Sequence, residues 1–309
     1  MKMLLVLNKD DQTVMFLDQE EGEIVASLRV DRNPHEAILT PDDKVAYVSN
    51  AGGRTVSVID VEMRHEVTRI ENDEWRFPHG LEVTRDGLYL MVAATYSNAI
   101  WVYRRDPEDP ASHELVKVIE TGQEKSHMVH FSPDGRRAYV PNIGSGTVSV
   151  VDVAEMEVSG RIAVGPGPEG VAVHPLDGTI YVANQGDGTL MVIDPDSLEV
   201  VHTLQLGDTP VRATFSHDGE YCFVANRLSH DISVIAHEWS GATAEPQPWE
   251  IKRLPVGRWP GQIVMGPGGN HAWVTNNKTN DISEIDLGTL TETRRFTAGI
   301  HPDGMIWVP

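Results

Sequence analysis

The sequence predicts an all-β fold made of seven similar four-stranded units, and two observations support this prediction. A hairpin-like segment returns through the chain at intervals of about 42–50 residues, a period typical of β-propeller blades. Each copy has two short runs rich in β-branched residues, joined by a turn rich in Asn and Gly, as in a β-hairpin. No segment shows the period of an amphipathic helix.

The repeated hairpin is easiest to recognise by a tetrapeptide at the end of its first run. A less similar copy occupies residues 4–20, and an irregular copy at 89–105 has Ala94 in place of the usual Asn. With these two, the chain contains seven hairpins. The five clear copies read YVSN (47–50), YVPN (139–142), YVAN (181–184), FVAN (223–226) and WVTN (273–276).

Two further strands separate successive hairpins. One is an apolar segment closed by a tight turn such as SPDG (132–135), and the other is amphipathic, as at 66–70. The chain starts inside one unit, because residues 1–30 supply three strands, and residues 300–309 supply the fourth. Pairing the two ends closes a ring and removes its open edges. The sequence therefore predicts one seven-bladed β-propeller domain over residues 1–309, with four antiparallel strands per blade.

These tetrapeptides resemble those of the YVTN β-propeller family, and the resemblance covers essentially the whole chain. It implies a seven-bladed propeller. Relatives in that family include lactonase-like enzymes, surface-layer proteins and the domain that holds haem d1 in nitrite reductases. The resemblance therefore implies a metal-free lactonase as one function, although a fold does not determine its chemistry.

Charge and cysteine content restrict the partners and the compartment. The chain has 46 acidic and 25 basic residues, a formal net charge of −21. Such a surface repels nucleic acid and anionic membranes, so neither is an expected partner. Cys222 is the single cysteine, and the N-terminal segment is predicted to be a strand and not a signal peptide. A cytoplasmic location is favoured, with a periplasmic or secreted one open if a signal has been removed.

One repeat position predicts a metal site at the channel mouth. The innermost strand of each unit, strand A, follows a loop residue that is proline in six units and serine in one. Ring closure would place the last of these positions beside the first, so that five consecutive blades are polar there. Three imidazoles and a carboxylate are good ligands for zinc, iron, manganese or copper. The residues at this position are His35, His79, His127, Glu169, Val211, Gly261 and Asp303.

The predicted metal ligands are His35, His79, His127 and Glu169. A ring of polar residues around channel water and an incidental alignment of histidines are the alternatives. His130 and His174 lie further along the chain from this position and are expected to bond between blades.

The loops that reach the same face predict a site for a small anionic or planar ligand. They carry cationic and aromatic side chains, which suit carboxylates and phosphates. The segments 104–114 and 236–250 are predicted to be long loops on the opposite face, available to a protein partner. The predicted ligand-binding residues are Arg76, Tyr96, Arg212, Arg258 and Trp259.

The favoured function is a metal-dependent hydrolase or lyase, lactonase-like, that acts on a small anionic substrate. The ion would activate water or polarise the substrate. Glu169 would be the fourth ligand or the general base, and Asp303 or His301 would transfer a proton. A non-catalytic propeller that binds a ligand or a protein is the alternative.

Overall fold

The computed structural model describes residues 2–237 and 248–309 of the chain. These residues form seven antiparallel sheets of four strands each, which we number as blades 1 to 7. The all-β, seven-bladed fold predicted from the sequence is confirmed. Residues 238–247, which make up most of the predicted loop 236–250, lie outside the described residues. Within the described residues, no helix has the length and apolar composition required to cross a membrane.

Each blade runs from strand A at the channel to strand D at the outside. Blade 1 contains β28 (Pro302–Val308), β1 (Met3–Asn8), β2 (Thr13–Asp18) and β3 (Ile24–Arg29). Blade 2 contains β4 (Pro34–Leu39), β5 (Val45–Asn50), β6 (Thr55–Asp60) and β7 (His65–Glu71). Blade 3 contains β8 (Pro78–Val83), β9 (Tyr89–Ala94), β10 (Ala99–Asp106) and β11 (Asp109–Glu120).

The remaining four blades repeat this order. Blade 4 contains β12 (His130–Phe131), β13 (Arg137–Asn142), β14 (Thr147–Asp152) and β15 (Glu157–Ala163). Blade 5 contains β16 (Pro168–Val173), β17 (Ile180–Asn184), β18 (Thr189–Ile193) and β19 (Val200–Gln205). Blade 6 contains β20 (Pro210–Phe215), β21 (Tyr221–Asn226), β22 (Asp231–Ala236) and β23 (Trp249–Pro255). Blade 7 contains β24 (Pro260–Met265), β25 (His271–Asn276), β26 (Asp281–Asp286) and β27 (Thr291–Thr297).

The two ends of the chain close the ring, as predicted. β28 pairs antiparallel with β1, so that Met3 faces Val308 and Val6 faces Met305. Met305 and Val308 are both almost fully buried. The last strand therefore supplies strand A of blade 1 and joins it to the core.

The hydrophobic core is divided among the interfaces between blades. The described residues contain seven buried apolar clusters, and each draws on two neighbouring blades. Trp273 of blade 7, for example, packs with Leu4 and Leu17 of blade 1. Side chains alternate in direction along a strand, so a central strand can serve one interface with even positions and the other with odd ones.

The asparagine of the repeated tetrapeptide holds the hairpin together. Asn50 Nδ2 donates to Thr55 Oγ1 and to Ser57 Oγ, both at 3.0 Å. Asn142 makes the same two bonds in blade 4. The amide thus links the end of one strand to the next, which fixes the turn at the channel-mouth face.

Blades 3 and 4 depart from the regular pattern. The hairpin turn of blade 3 contains a short 3₁₀ helix, η1 (Thr95–Ser97), which is the irregular turn expected around Tyr96. The segment 104–114, predicted to be a loop, instead extends β10 and β11, because its residues continue the pairing of those strands. In blade 4, strand A is regular only over the two residues of β12.

The residue before the proline or serine that leads into strand A has a left-handed backbone in every blade. Its φ lies between 55° and 66°, a region that costs residues other than glycine about 1–2 kcal/mol. The turn brings the chain onto the channel wall and leaves the side chain at the mouth. The residues are Asn33, Phe77, Lys125, Gly167, Thr209, Trp259 and His301.

Candidate functional site

A cavity of about 360 Å³ opens at the channel mouth, where the A strands begin. Three repeat positions supply most of its lining. The first is the start of strand A, with His35, His127, Glu169, Gly261 and Asp303. The second follows the tetrapeptide asparagine or its equivalent, with Lys9, Thr95, Ile143, Gln185, Arg227 and Asn277. The third is the left-handed residue, with Phe77, Lys125 and Trp259, and Tyr96 and Pro260 complete the wall.

The structure brings six of the eleven predicted site residues to this cavity. The other five lie elsewhere: His79 and Arg212 are buried, and Arg76, Arg258 and His301 belong to the surface around the mouth. His301 is turned outward, with Nδ1 2.6 Å from Asp10 Oδ2 and Nε2 3.1 Å from Lys278 Nζ. The six residues that line the cavity are His35, Tyr96, His127, Glu169, Trp259 and Asp303.

His35, His79 and His127, which we call the mouth histidines, lie in contact with one another. The ring centroids of His35 and His79 are 4.6 Å apart, and those of His79 and His127 are 3.7 Å apart and stacked. His127 Nδ1 lies 2.9 Å from Thr95 Oγ1, and His35 Nδ1 lies 2.9 Å from Asn33 Oδ1. The shared repeat position therefore predicts that the three rings meet, and the structure shows how they pack.

The mouth histidines are neutral near pH 7. Burial lowers the pKa of His35 to about 3, because the charged ring would lose its hydration. Burial also holds the pKa of His79 and His127 well below the usual range, and the nearby Arg212 guanidinium acts in the same direction. Neutral rings can accept a proton, bind a metal ion or stack on each other.

The geometry favours a different set of residues as metal ligands. In the described ranges, one group of three His, Cys, Asp or Glu residues has ligand atoms within 4.8 Å of one another. We call this group, His174, Asp177 and His237, the back-face cluster. Within the same ranges, the mouth histidines do not form such a group. Metal binding by the mouth histidines and Glu169 stays a prediction.

An ion-pair network lies around the mouth histidines and crosses the channel. Arg212 of blade 6 pairs with Glu36 of blade 2, on the far side of the ring, and with Glu169 of blade 5 at 3.3 Å. Glu169 also accepts from Arg227 at 3.2 Å. All but Arg227 are nearly fully buried, so Arg212 joins opposite walls beneath the cavity rather than lining it. Burial raises the pKa of Glu36 to about 7, and Arg212 opposes that rise.

Ring closure creates a second charged group at the mouth. Asp303 forms an ion pair with Lys9, and its Oδ2 lies 3.4 Å from His35 Nε2. Burial acts to raise the pKa of Asp303, but Lys9 and its other cationic neighbours hold it below the usual range. The predicted adjacency of Asp303 and His35 is thus present, with Lys9 beside it.

The sequence analysis did not predict that Lys9 and Arg227 line the cavity, although the repeat contains a signal for both. Each directly follows the asparagine that ends the first hairpin strand, Asn8 and Asn226. Six of the seven residues at that repeat position line the cavity. A comparison of this position across the repeats would have placed them beside the start of strand A.

Comparison with known families assigns the chain to a class. Residues 120–302 match the family described as "Lactonase, 7-bladed beta-propeller", and residues 2–135 match one described as "YNCE-like beta-propeller". Because the first match spans more than half of the chain, the protein belongs to the seven-bladed lactonase β-propeller family.

Solved structures show the same fold at low sequence identity. The periplasmic gluconolactonase PpgL of Pseudomonas aeruginosa is 22% identical, with a TM-score of 0.81 over 100% of this chain and 99% of that chain. A putative 6-phosphogluconolactonase of Bacteroides fragilis is 18% identical, with a TM-score of 0.82 over 100% and 98%. Hydrazine synthase of Kuenenia stuttgartiensis is 20% identical, with a TM-score of 0.71 over 90% and 91%.

One curated protein shares a short, closer match. A stretch of 52 residues is 50% identical to the PE-PGRS family protein PE_PGRS18 of Mycobacterium tuberculosis. The match covers 17% of this chain and 11% of that protein, so it concerns a small part of the length of either.

Proposed function

We propose that the protein hydrolyses a small anionic ester or lactone in the cavity at the channel mouth. One observation carries the proposal: a chain of net charge −21 gathers Lys9, Lys125 and Arg227 around neutral imidazoles in one cavity of about 360 Å³. That volume lies within the range of small-molecule sites. The match to the lactonase family and the names of two similar structures support this reaction class.

The cations suit both the ground state and the transition state of such a reaction. Lysine and arginine bind carboxylate and phosphate groups. The same charges can stabilise the oxyanion that forms when water attacks an acyl carbon. Lys9 and Arg227 are held by Asp303 and Glu169, so their positions are fixed before a substrate enters.

His127 is the residue we assign as general base. It lines the cavity, Thr95 fixes its Nδ1, and its Nε2 has no hydrogen-bond partner among the described residues. The neutral ring can take a proton from water as the water attacks. An anionic substrate beside the ring would raise its pKa toward the working pH and make it a stronger base.

The test uses gluconolactone and its 6-phospho form as substrates. We expect hydrolysis above the spontaneous rate, and a loss of kcat of about 10²–10⁴-fold in His127→Gln because the base is removed. Lys125→Gln should mainly raise KM. Arg258→Gln is the control, since Arg258 is exposed and does not line the cavity. Binding without hydrolysis in the wild-type protein would instead support a ligand-binding propeller.

Metal dependence of this reaction stays a separate prediction. Chelator treatment followed by readdition of zinc, iron, manganese or copper tests it, provided that metal content is measured in His35→Ala, His79→Ala and His127→Ala. Full activity in metal-free protein would leave the histidines with acid–base and packing roles. The cytoplasmic location also stays a prediction, based on the single Cys222.

A further inference from the structure

The back-face cluster lies away from the cavity, where blades 5 and 6 meet. His174 and Asp177 belong to the turn between β16 and β17, and His237 directly follows β22. The rings of His174 and His237 are stacked with centroids 4.1 Å apart, and Asp177 contacts both. We propose that His174, Asp177 and His237 bind one divalent transition-metal ion, such as zinc, which joins blade 5 to blade 6.

The hydrogen bonds of His174 show which of its nitrogens could act as a metal ligand. Nε2 lies 3.2 Å from the carbonyl oxygen of Gly219, which can only accept, so Nε2 carries the hydrogen. Nδ1 then bears the lone pair, which accepts a hydrogen bond from the backbone amide of Asp177 at 3.1 Å, so a metal ion would replace that bond. Asp177 Oδ1 lies 2.8 Å from the same nitrogen. Two acceptor atoms at that distance require a positive charge between them. A proton on Nδ1 supplies that charge in an ion pair with Asp177, and a divalent ion would take the place of that proton.

His237 faces the same carboxylate from the neighbouring blade. Its Nε2 lies 3.0 Å from Asp177 Oδ2, and its Nδ1 lies 2.8 Å from the hydroxyl of Tyr181. Metal-binding histidines usually hold their second nitrogen against a carbonyl, a carboxylate or another polar partner. Here the Tyr181 hydroxyl is the partner of His237 and the Gly219 carbonyl is the partner of His174, so both rings are oriented before an ion binds.

The turn around Gly219 leaves room for the His174 ring. Gly219 has a φ of 79°, and a Cβ atom there would overlap the imidazole. Only glycine adopts this conformation readily while leaving that space free. The site therefore depends on a glycine in blade 6 as well as on the residues that would hold the ion.

An ion can reach the cluster from the side of Asp177. The side chains of His174 and His237 are 6% and 2% exposed, whereas that of Asp177 is 24% exposed. Asp177 also lines a surface cleft of about 420 Å³ together with Tyr139 and Leu176. Two imidazoles and a carboxylate with an open side match the ligand number of zinc sites that retain water.

The experiment measures metal binding by the full-length protein purified without a His-tag and stripped with a chelator. We expect one equivalent of Zn²⁺ to bind and raise the melting midpoint, and one equivalent of Co²⁺ to give a visible absorption band. His237→Gln and Asp177→Asn should abolish both. Tyr181→Phe, which removes the partner of His237, should weaken binding about 10–100-fold.

Two controls separate this site from the mouth histidines. His130→Gln and His127→Gln should bind Zn²⁺ as the wild-type protein does. Failure of the wild-type protein to bind one equivalent would overturn the proposal, as would normal binding by folded His237→Gln and Asp177→Asn. Loss of zinc in His127→Gln alone would assign the ion to the mouth.

A measurement on the unsubstituted protein covers the case in which the variants do not fold. X-ray absorption at the zinc edge should show two imidazoles and oxygen ligands. A shell with three imidazoles would assign the ion to the mouth histidines and overturn the proposal.

Discussion

The mouth histidines and the back-face cluster both contain stacked imidazoles, but their surroundings differ. At the mouth, His79 stacks on His127 at 3.7 Å, and Arg212 approaches from below. On the back face, His174 stacks on His237 at 4.1 Å, and one carboxylate faces a nitrogen of each ring. The difference teaches that the placement of the carboxylate decides whether ligand atoms converge, since both clusters contain close histidines. At the mouth, Asp303 and Glu36 each approach a different ring, whereas Asp177 approaches both rings on the back face.

The two clusters also arise differently from the repeat. The mouth histidines occupy one repeat position in three consecutive blades, so a comparison of the blades reveals them. The back-face cluster comes from two departures from the repeat. His174 stands where four other blades have the Ser or Thr of the turn after strand A, as in Ser132, and the Asp-Gly pair of its turn comes one residue later. His237 stands where four other blades have an apolar residue or proline, such as Val61.

Deletion of residues 302–309 should have the largest effect on stability. It should disturb the mouth more than the back-face cluster. It removes β28, which carries Asp303, and exposes the edge of β1. We expect a loss of several kcal/mol in the free energy of unfolding, because a strand ladder and a packed face disappear together. Urea denaturation measures it. A truncated chain as stable as the intact one would contradict the role of closure.

Arg212→Met should have the next largest effect on stability. It tests how much the mouth depends on the buried guanidinium of Arg212. Glu36 and Glu169 would remain buried without their shared partner, and the cost of such a loss is about 3–5 kcal/mol. The double variant Arg212→Met, Glu36→Gln should recover part of that loss. Arg258→Ala, at an exposed position, should change stability by less than about 0.5 kcal/mol. Equal effects of the two arginines in urea denaturation would contradict the network.

The pH dependence of stability should show a smaller effect. Because the folded-state pKa of the mouth histidines lies below the unfolded value, the unfolded chain binds more protons, and stability should fall as pH decreases from about 6.5 toward about 3. The raised pKa of Glu36 acts oppositely between about 4.5 and about 7. His130, whose pKa burial lowers to about 4, and Glu82, whose pKa burial raises to about 8, add one effect of each sign. The histidines still outnumber the carboxyls, so acid should destabilise the protein. His79→Gln should flatten the unfolding free energy measured against pH, and an unchanged slope would contradict this account.

The sequence predicted the fold more fully than the site, for physical reasons. Strand pairing, blade number and closure follow from a backbone repeat, and the adjacency of Asp303 to His35 follows from closure alone. The direction of each ring and the reach of a long side chain do not follow from spacing. Arg212 was therefore expected at the rim, whereas it crosses the channel to Glu36. The back-face cluster was missed because its histidines do not share a repeat position.

The left-handed residue before strand A has a consequence for how such a mouth can change over evolution. Its backbone conformation is the same in all seven blades, yet its side chains range from glycine to tryptophan. Phe77, Lys125 and Trp259 reach the cavity from this position with their side chains. Each pairs with the neighbouring strand through its backbone carbonyl, whatever the side chain is. Glycine would relieve the strain at most of these positions, since it adopts positive φ freely. Selection can therefore alter what the mouth recognises one blade at a time, while the stability of the ring stays nearly constant.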